Sequence, residues 1–329
     1  MEFIGRQIDF GIAVEGSRGE AETEPQRWIR KTVANVVPKN ERKVDDTSFG
    51  RLEDADRVRT VRKWNEGSVD GILHADALGY FLLNLYGAVD SDEIDDDVYE
   101  HTFTLDQDIQ HPTLSLFMLD AAVRAVAIAG AVVSSLKLSI ATDDYLRFSA
   151  EFIGKEEEDL DSPPVPEVSA EFDFVGRDVT LKFADTLEAL GAATPIKAKS
   201  IAVTWNPGVI ADYVVGDYSP DDIYNGAFGL EFSFTRNYAD QTFETLYKSQ
   251  DFKYCEIRIE GEALLSDSSS KPLIVLTLNK AQVTNWNRAG AQNELVTEDV
   301  DVKAFYNSSD QKQSEVTLVN ATASYAAAS

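Results

Sequence analysis

The chain has 329 residues, and 57 Asp and Glu outweigh 30 Lys and Arg to give a formal net charge of −27. Such a charge favours solubility and opposes nucleic-acid binding on any general surface. A hydrophobic share of 43% can build one large or two ordinary domains, and a single cysteine excludes a disulfide framework.

The N-terminal stretch MEFIGRQIDFGIAVEGSRGE lacks the apolar core and cleavage pattern of a signal peptide. The longest apolar stretch, around AVAIAGAVV, is too short to span a bilayer. A soluble protein made in cytoplasm is expected. Ile8, Phe10, Ile12 and Val14 alternate as a strand, followed by a Gly/Glu-rich turn and a second strand over Trp28–Val37. Residues 38–56, PKNERKVDDTSFGRLEDAD, are polar and lack a core pattern. A segment of that kind reads either as a mobile surface loop or as an arm that orders against a neighbouring subunit. Val58–Trp64 reads as a strand and Asn65–Gly71 as turn residues.

A helix is predicted from about Leu73 to Tyr86, because Leu78, Phe81, Leu82, Leu85 and Tyr86 share one face, with Gly87 as its cap. The acidic run Asp90–Glu100 reads as a solvated turn; it lacks the glycine and final glutamate of a helical calcium loop. Strands follow at His101–Leu105, Thr113–Leu119, Val132–Ile140 and Leu146–Ile153. The last two alternate apolar with polar residues across the short turn ATDD, as in a half-buried antiparallel hairpin. Residues 154–170 are acidic, Pro-rich and aperiodic, which marks a linker.

Further strands are expected at Val179–Phe183, Ala198–Trp205 and Gly226–Thr235, then a helix over Tyr238–Gln250 carrying Phe243, Leu246 and Tyr247 on its apolar face. Four more strands close the chain: Phe252–Glu260, Leu273–Leu278, Glu298–Tyr306 and Ser314–Asn320. The order of elements recurs after about 165 residues, half the chain length. On that shift Leu136–Ala141 matches Asp301–Tyr306, and Leu146–Lys155 matches Gln311–Asn320. The organisation expected is a first β domain at 1–160, a linker at 161–175 and a second β domain at 176–329.

Little in the sequence points to chemistry. His74, His101 and His111 lack zinc-site spacing. No GxSxG, phosphate loop or GxGxxG is present, and Cys255 in YCEIRIEGE reads as a small core residue. No catalytic residue, cofactor or metal is assigned.

Several stretches together resemble the major tail tube proteins of long, non-contractile-tailed bacteriophages. They are GIAVEGSRGEAETEPQRWI, VDDTSFGRLEDAD, GSVDGILHADALGYFLLNLYGAV, HTFTLDQDIQHPTLSLFML, SSLKLSIATDDYLRFSAEFIGK and VTLVNATASY, in family order. The resemblance implies a mainly β fold: two tandem β-sandwich domains, each with a flanking helix, joined into one β-barrel when subunits form a ring. It implies a non-enzymatic virion protein, folded in host cytoplasm and assembled into stacked rings through which viral DNA passes. A duplicated chain would need three copies per ring; without duplication the ring would hold six. Tape measure and terminator proteins are the other partners implied, and no membrane.

Within that expectation the polar hairpin faces line the bore: Lys137, Ser139, Ser149 and Glu151, with Asp301, Lys303, Glu315 and Thr317 in the second repeat. DNA carries about one negative charge per 1.7 Å, so an acidic or neutral wall would let it slide. The arm, with Lys43, Asp45, Asp46, Phe49 and Arg51, is expected to make inter-subunit contacts. The rival reading is a carbohydrate- or receptor-binding β-sandwich at a tail tip or cell surface. Trp28, Trp64, Trp205 and Trp286 form no obvious aromatic platform for it.

Overall fold

A computed structural model describes residues 2–48, 50–167, 172–265 and 269–327. In chain order the first half contains β1 (Ile8–Val14), β2 (Arg27–Trp28), β3 (Val33–Asp45), β4 (Arg57–Ile72) and α1 (Ala75–Tyr86). It continues with β5 (Gly87–Asp95), β6 (Val98–Leu105), β7 (Leu114–Asp120), β8 (Arg124–Ala141), β9 (Arg147–Gly154) and β10 (Glu157–Asp159). The second half contains β11 (Val179–Ala184), β12 (Ala198–Asn206), β13 (Ile210–Asp212), β14 (Asp222–Tyr224), β15 (Gly229–Asn237) and α2 (Thr242–Ser249). It ends with β16 (Lys253–Glu260), β17 (Leu273–Ala289), β18 (Thr297–Ala304) and β19 (Ser314–Asn320). The fold is mainly β, in sandwich layers, and the sheet does not close into a barrel within one chain.

The strand ladders repeat. In the first half β1 pairs with β7, β7 with β8, β8 with β9, β9 with β4 and β4 with β3. In the second half the same series reads β11, β16, β17, β18, β15 and β12. A single 3₁₀ turn enters β1 at Gly5–Gln7 and β11 at Gly176–Asp178. Even the irregularities agree: register shifts lie between Val133 and Ser135 beside β9, and between Val283 and Asn285 beside β18. A β-bulge bends a strand and raises its twist. Here it lets β8 and β17 leave one layer and enter the other. The N-terminal part of β8 pairs with β7 and β10, and that of β17 with β16 and β19.

The matching ladders place the repeat differently from the sequence expectation. The helices do stand about 165 residues apart, but β8 corresponds to β17 and β9 to β18, an offset of 150. Among the described residues the β5–β6 hairpin has no counterpart in the second half, and its insertion after α1 changes the offset of the strands that follow. It pairs through β6 with β19.

Four further elements differ from the sequence reading. Asn65–Gly71 is continuous strand, laddered to β3 on one side and β9 on the other. Gly67 is there for close approach, since a Cβ would fall 1.9 Å from the Asn35 carbonyl oxygen. Asp90–Asp95 is strand in the β5–β6 hairpin, turning at Asp97 with φ 54°. Lys39–Asp45 is strand as well, so much of the expected loop at 38–56 is a hairpin extending β3 and β4. In α2, Phe243 and Leu246 are buried but Tyr247 is exposed. Part of the expected linker, 168–171, lies outside the described residues.

One hydrophobic core runs through both halves, from Phe10 and Ile12 through α1 to Phe232, Leu276 and Leu318. Helix α1 sits at its centre, with every residue buried. Tyr86 at its end accepts a hydrogen bond from Trp205 Nε1 at 3.1 Å and lies 3.0 Å from the Ser314 hydroxyl. Burial pushes the Tyr86 phenol up to about 12. Gly87 caps the helix at φ 84°, as expected. Over the helix start, the Tyr325 hydroxyl donates to the Asp76 carbonyl at 3.0 Å. Its ring lies so close that a Cβ at Gly79 would meet it at 2.0 Å. Cys255 is fully buried in β16, and burial raises its thiol well above the ordinary range.

Candidate assembly edges and polar face

The site positioned by this fold is a sheet rather than a pocket. Strands β3, β4, β9 and β8 form a four-stranded unit, and β12, β15, β18 and β17 form its copy. The C-terminal part of β8 pairs with β12, from Ala141 opposite Ser200 to Leu136 opposite Trp205. The two units thus become one eight-stranded sheet within the chain.

Period-two alternation decides its faces. Leu136, Leu138, Phe148, Val203, Phe232 and Val302 point into the core. The other face is polar. Along one row, neighbouring strands bring Asp70, Ser149, Lys137, Thr204, Glu231 and Lys303 side by side. Lys303 Nζ lies 2.7 Å from Glu231 Oε1. In the next rows Asn285 Nδ2 donates to Asp301 at 2.9 Å and Thr235 Oγ1 to Asp299 at 2.6 Å. At the rim, hydrogen bonds from Arg147 hold the Asp144 carboxyl below its ordinary range. Across this face, acids such as Glu66, Glu151 and Asp299 outnumber the bases Lys137, Arg147 and Lys303.

Of the eight residues expected on one face, Lys137, Ser139, Ser149, Glu151, Asp301 and Lys303 share it. Glu315 and Thr317 do not: they lie on β19, between β17 and β6 in the other layer. The repeat offset explains the difference, because β9 corresponds to β18 and not to β19. Ser233 and Asn287, which sequence reading passed over, take their place on the polar face.

The expected arm residues sit at the tip of the β3–β4 hairpin or beyond it. Asp45 accepts from Thr47 N and Oγ1 at 3.1 and 2.5 Å and pairs with Arg57 at 3.2 Å. Those Thr47 bonds lower the Asp45 carboxyl. Lys43 pairs with Glu41 at 2.7 Å, and Asp46 and Arg51 are exposed. Phe49 lies outside the described residues. Val44, Leu52 and Val58 leave apolar surface in water at the tip. The hairpin is rooted on the second half: the Arg62 guanidinium stacks 4.4 Å over the Tyr213 ring, and Lys63 N donates to the Tyr218 carbonyl at 2.8 Å.

The three histidines are buried. His101 Nδ1 lies 2.7 Å from Ser91 Oγ and its Nε2 lies 2.8 Å from the Thr322 carbonyl oxygen, and burial lowers its pKa. Among the described residues, no group of His, Cys, Asp or Glu is arranged to hold a metal, and no helix is long and apolar enough to cross a membrane. No curated protein matches the chain. A family model described as "Phage tail tube protein" matches residues 5–304, nearly the whole of the chain, and the chain therefore belongs to the phage tail tube protein family, a structural component of the virion tail.

Proposed function

We propose that three copies of this chain form a closed ring with pseudo-sixfold symmetry, and that rings stack into a hollow tube that conducts viral DNA. The observation that supports this most is the repeated four-stranded unit within one sheet: two units per chain make six from three chains. Three eight-stranded sheets closed edge to edge give twenty-four strands. At roughly 4.8 Å between strands and a tilt near 40°, the backbone circle is about 45–50 Å across. Closure also removes two exposed sheet edges that would otherwise invite disordered association.

In this reading the polar face lines the bore. Its excess of acids repels a duplex and keeps it sliding. The core-facing side packs beneath the outer layer built from β1, β7, β11 and β16. The chain acts without catalysis, folds in host cytoplasm before assembly, and meets tape measure and terminator proteins at the ends of the tube. The β3–β4 tip, with exposed Val44, Leu52 and Val58, makes the contacts between subunits or rings. The 1–160 and 176–329 portions are two copies of one domain that share a core.

Native mass measurement and negative-stain microscopy of the purified protein test the ring. Closed particles of three chains, stacking into hollow tubes, are expected; rings of six chains or a dispersed monomer would overturn it. Removing residues 46–56 is expected to abolish tubes while leaving the melting temperature within a few degrees of the parent. Normal tubes after that deletion would remove the arm from the scheme.

A further inference from the structure

The repeat also equates two strands of the outer layer, β10 and β19. With β8 and β17 offset by 150, Ile128 opposite Glu157 corresponds to Leu278 opposite Ser314. Glu157 therefore stands for Ser314 and Asp159 for Val316. Beyond these positions the copies part. β19 runs on to Asn320 and ladders on its other side with β6, so a strand of the second half roofs the helix of the first. The chain leaving it stays on α1: Asn320 Nδ2 donates to the Ala75 carbonyl at 3.2 Å, and Thr322 Oγ1 to Asp76 at 3.2 Å. β10 stops after three residues and runs into Pro163, Pro164 and Pro166. Counting on from Asp159, Pro163 stands where Asn320 does and Val165 where Thr322 does.

The β8–β12 ladder is the internal seam, with α1 on one side of it and the roofing strand on the other. β10 belongs to the first half, so the helix it can roof is the α2 of a second half in another chain. Resting on the ring proposed above, we infer that the Pro-rich segment 161–167 of one copy lies over α2 of the neighbouring copy, as the segment after β19 lies over α1 within the chain.

The chemistry of the two joints differs in a consistent way. Leu78, Leu82, Leu138 and Val316 line one small gap beneath the internal seam. The caps Gly87 and Gln250, donating to the Leu83 and Leu246 carbonyls, set the helices 163 apart. Leu78 and Leu82 thus become Gln241 and Thr245, Leu138 becomes Arg288, and Val316 becomes Asp159. All four replacements are exposed. An apolar joint inside the chain is copied as a polar one between chains, where Arg288 of one copy meets Asp159 of the next. Prolines have no N–H to donate, so a ladder like that of β19 with β6 does not extend here. A proline run instead holds an extended helix that packs on aromatic rings. Tyr238, at the entry to α2, and Trp286 present two such rings, half-buried and 6.1 Å apart. Val165 of the segment is 79% exposed, an apolar side chain that this contact would cover.

Charge exchange tests the docking in the full chain. Arg288→Glu is expected to raise the protein concentration needed for rings several-fold, and Arg288→Glu with Asp159→Arg to restore it. Failure of the double variant to restore rings would remove this pair from the contact. Cysteine pairs joined by a short bis-maleimide test the placement, since Cys255 is buried and the positions used are exposed. Val165→Cys with Thr242→Cys, at the start of α2, is expected to give covalent dimers and trimers under denaturing conditions. Val165→Cys with Lys248→Cys, at the far end of α2, is expected to link several-fold less. Equal linking of the two pairs would overturn the placement. Three-chain rings that form normally with neither linked product nor charge rescue would overturn the docking and leave the ring standing. Absence of any oligomer in the parent chain would overturn the ring itself, and the docking with it.

Discussion

The two helices occupy equivalent places in the repeat and have opposite surroundings. All residues of α1 are buried. In α2 the buried ones are Phe243 and Leu246, while Tyr247 is 40% exposed. The first helix lies under the internal seam, with β19 and the C-terminal Tyr325 closing over it; among the described residues nothing equivalent closes over the second. The β5–β6 hairpin, also without a counterpart, ties the covering strand β19 in place. The repeated arrangement therefore serves two uses: α1 is the centre of the core, and α2 is a partly solvated strut. A second difference sits opposite β15. Where the first half buries Phe148 in β9, the second buries Glu298 in β18, whose Oε1 lies 2.5 Å from Arg236 Nε and whose Oε2 accepts from Trp286 Nε1 at 2.6 Å.

That contrast can be tested in descending order of effect. Glu298→Ala leaves Arg236 without its buried partner and is expected to cost about 3–5 kcal/mol, read as a lower urea midpoint. A cost below about 1 kcal/mol would mean that the pair is solvated. Leu82→Ala in α1 is expected to lose about 2–5 kcal/mol, while Tyr247→Ala in α2 is expected to lose under about 1 kcal/mol. Equal losses would erase the distinction between the helices. Gly79→Ala drives a methyl group into the Tyr325 ring, and the expected cost is about 1–3 kcal/mol. Restoration by Gly79→Ala with Tyr325→Leu would confirm the clash as the cause.

The smallest effect is a matter of pH. Hydrogen bonds from Arg236 and Thr242 hold the Asp240 carboxyl well below its ordinary range. A depressed carboxylate stabilises the fold above its unfolded value of about 4 and loses that contribution as pH falls through the folded value. Because Asp240 is half exposed, the contribution should stay under about 1 kcal/mol. Asp240→Asn is therefore expected to melt slightly lower at pH 7, with the gap to the parent narrowing as pH falls below about 4. A constant gap across that range would show that the ion pair is not responsible.

Sequence patterning located most of these elements because burial on one face leaves a period. β9, β15 and β18 alternate cleanly, and α1 carries a complete apolar stripe. The distal β3–β4 hairpin left no such trace: Lys39–Asp45 is solvated on both faces, so strand and loop have the same composition there. The β5 acids were hidden in the same way. Gly67 read as a turn because a glycine needed for close approach looks the same in sequence as one needed for a bend. The repeat was visible through its helices, but its offset was not, since the inserted β5–β6 hairpin displaces everything after α1. That displacement is why Glu315 and Thr317 were grouped with a face to which β19 does not belong.

The β8–β12 ladder has a thermodynamic consequence for assembly. A six-unit ring built from separate units must immobilise six free bodies, whereas this chain would immobilise three. Each association avoided saves an estimated 4–15 kcal/mol of lost translational and rotational freedom. Half of the seams would close at the effective concentration of a tethered neighbour, independent of how much protein the cell has made. Tube growth would then depend on protein concentration only through the remaining half, and rings could nucleate at a lower supply of chains.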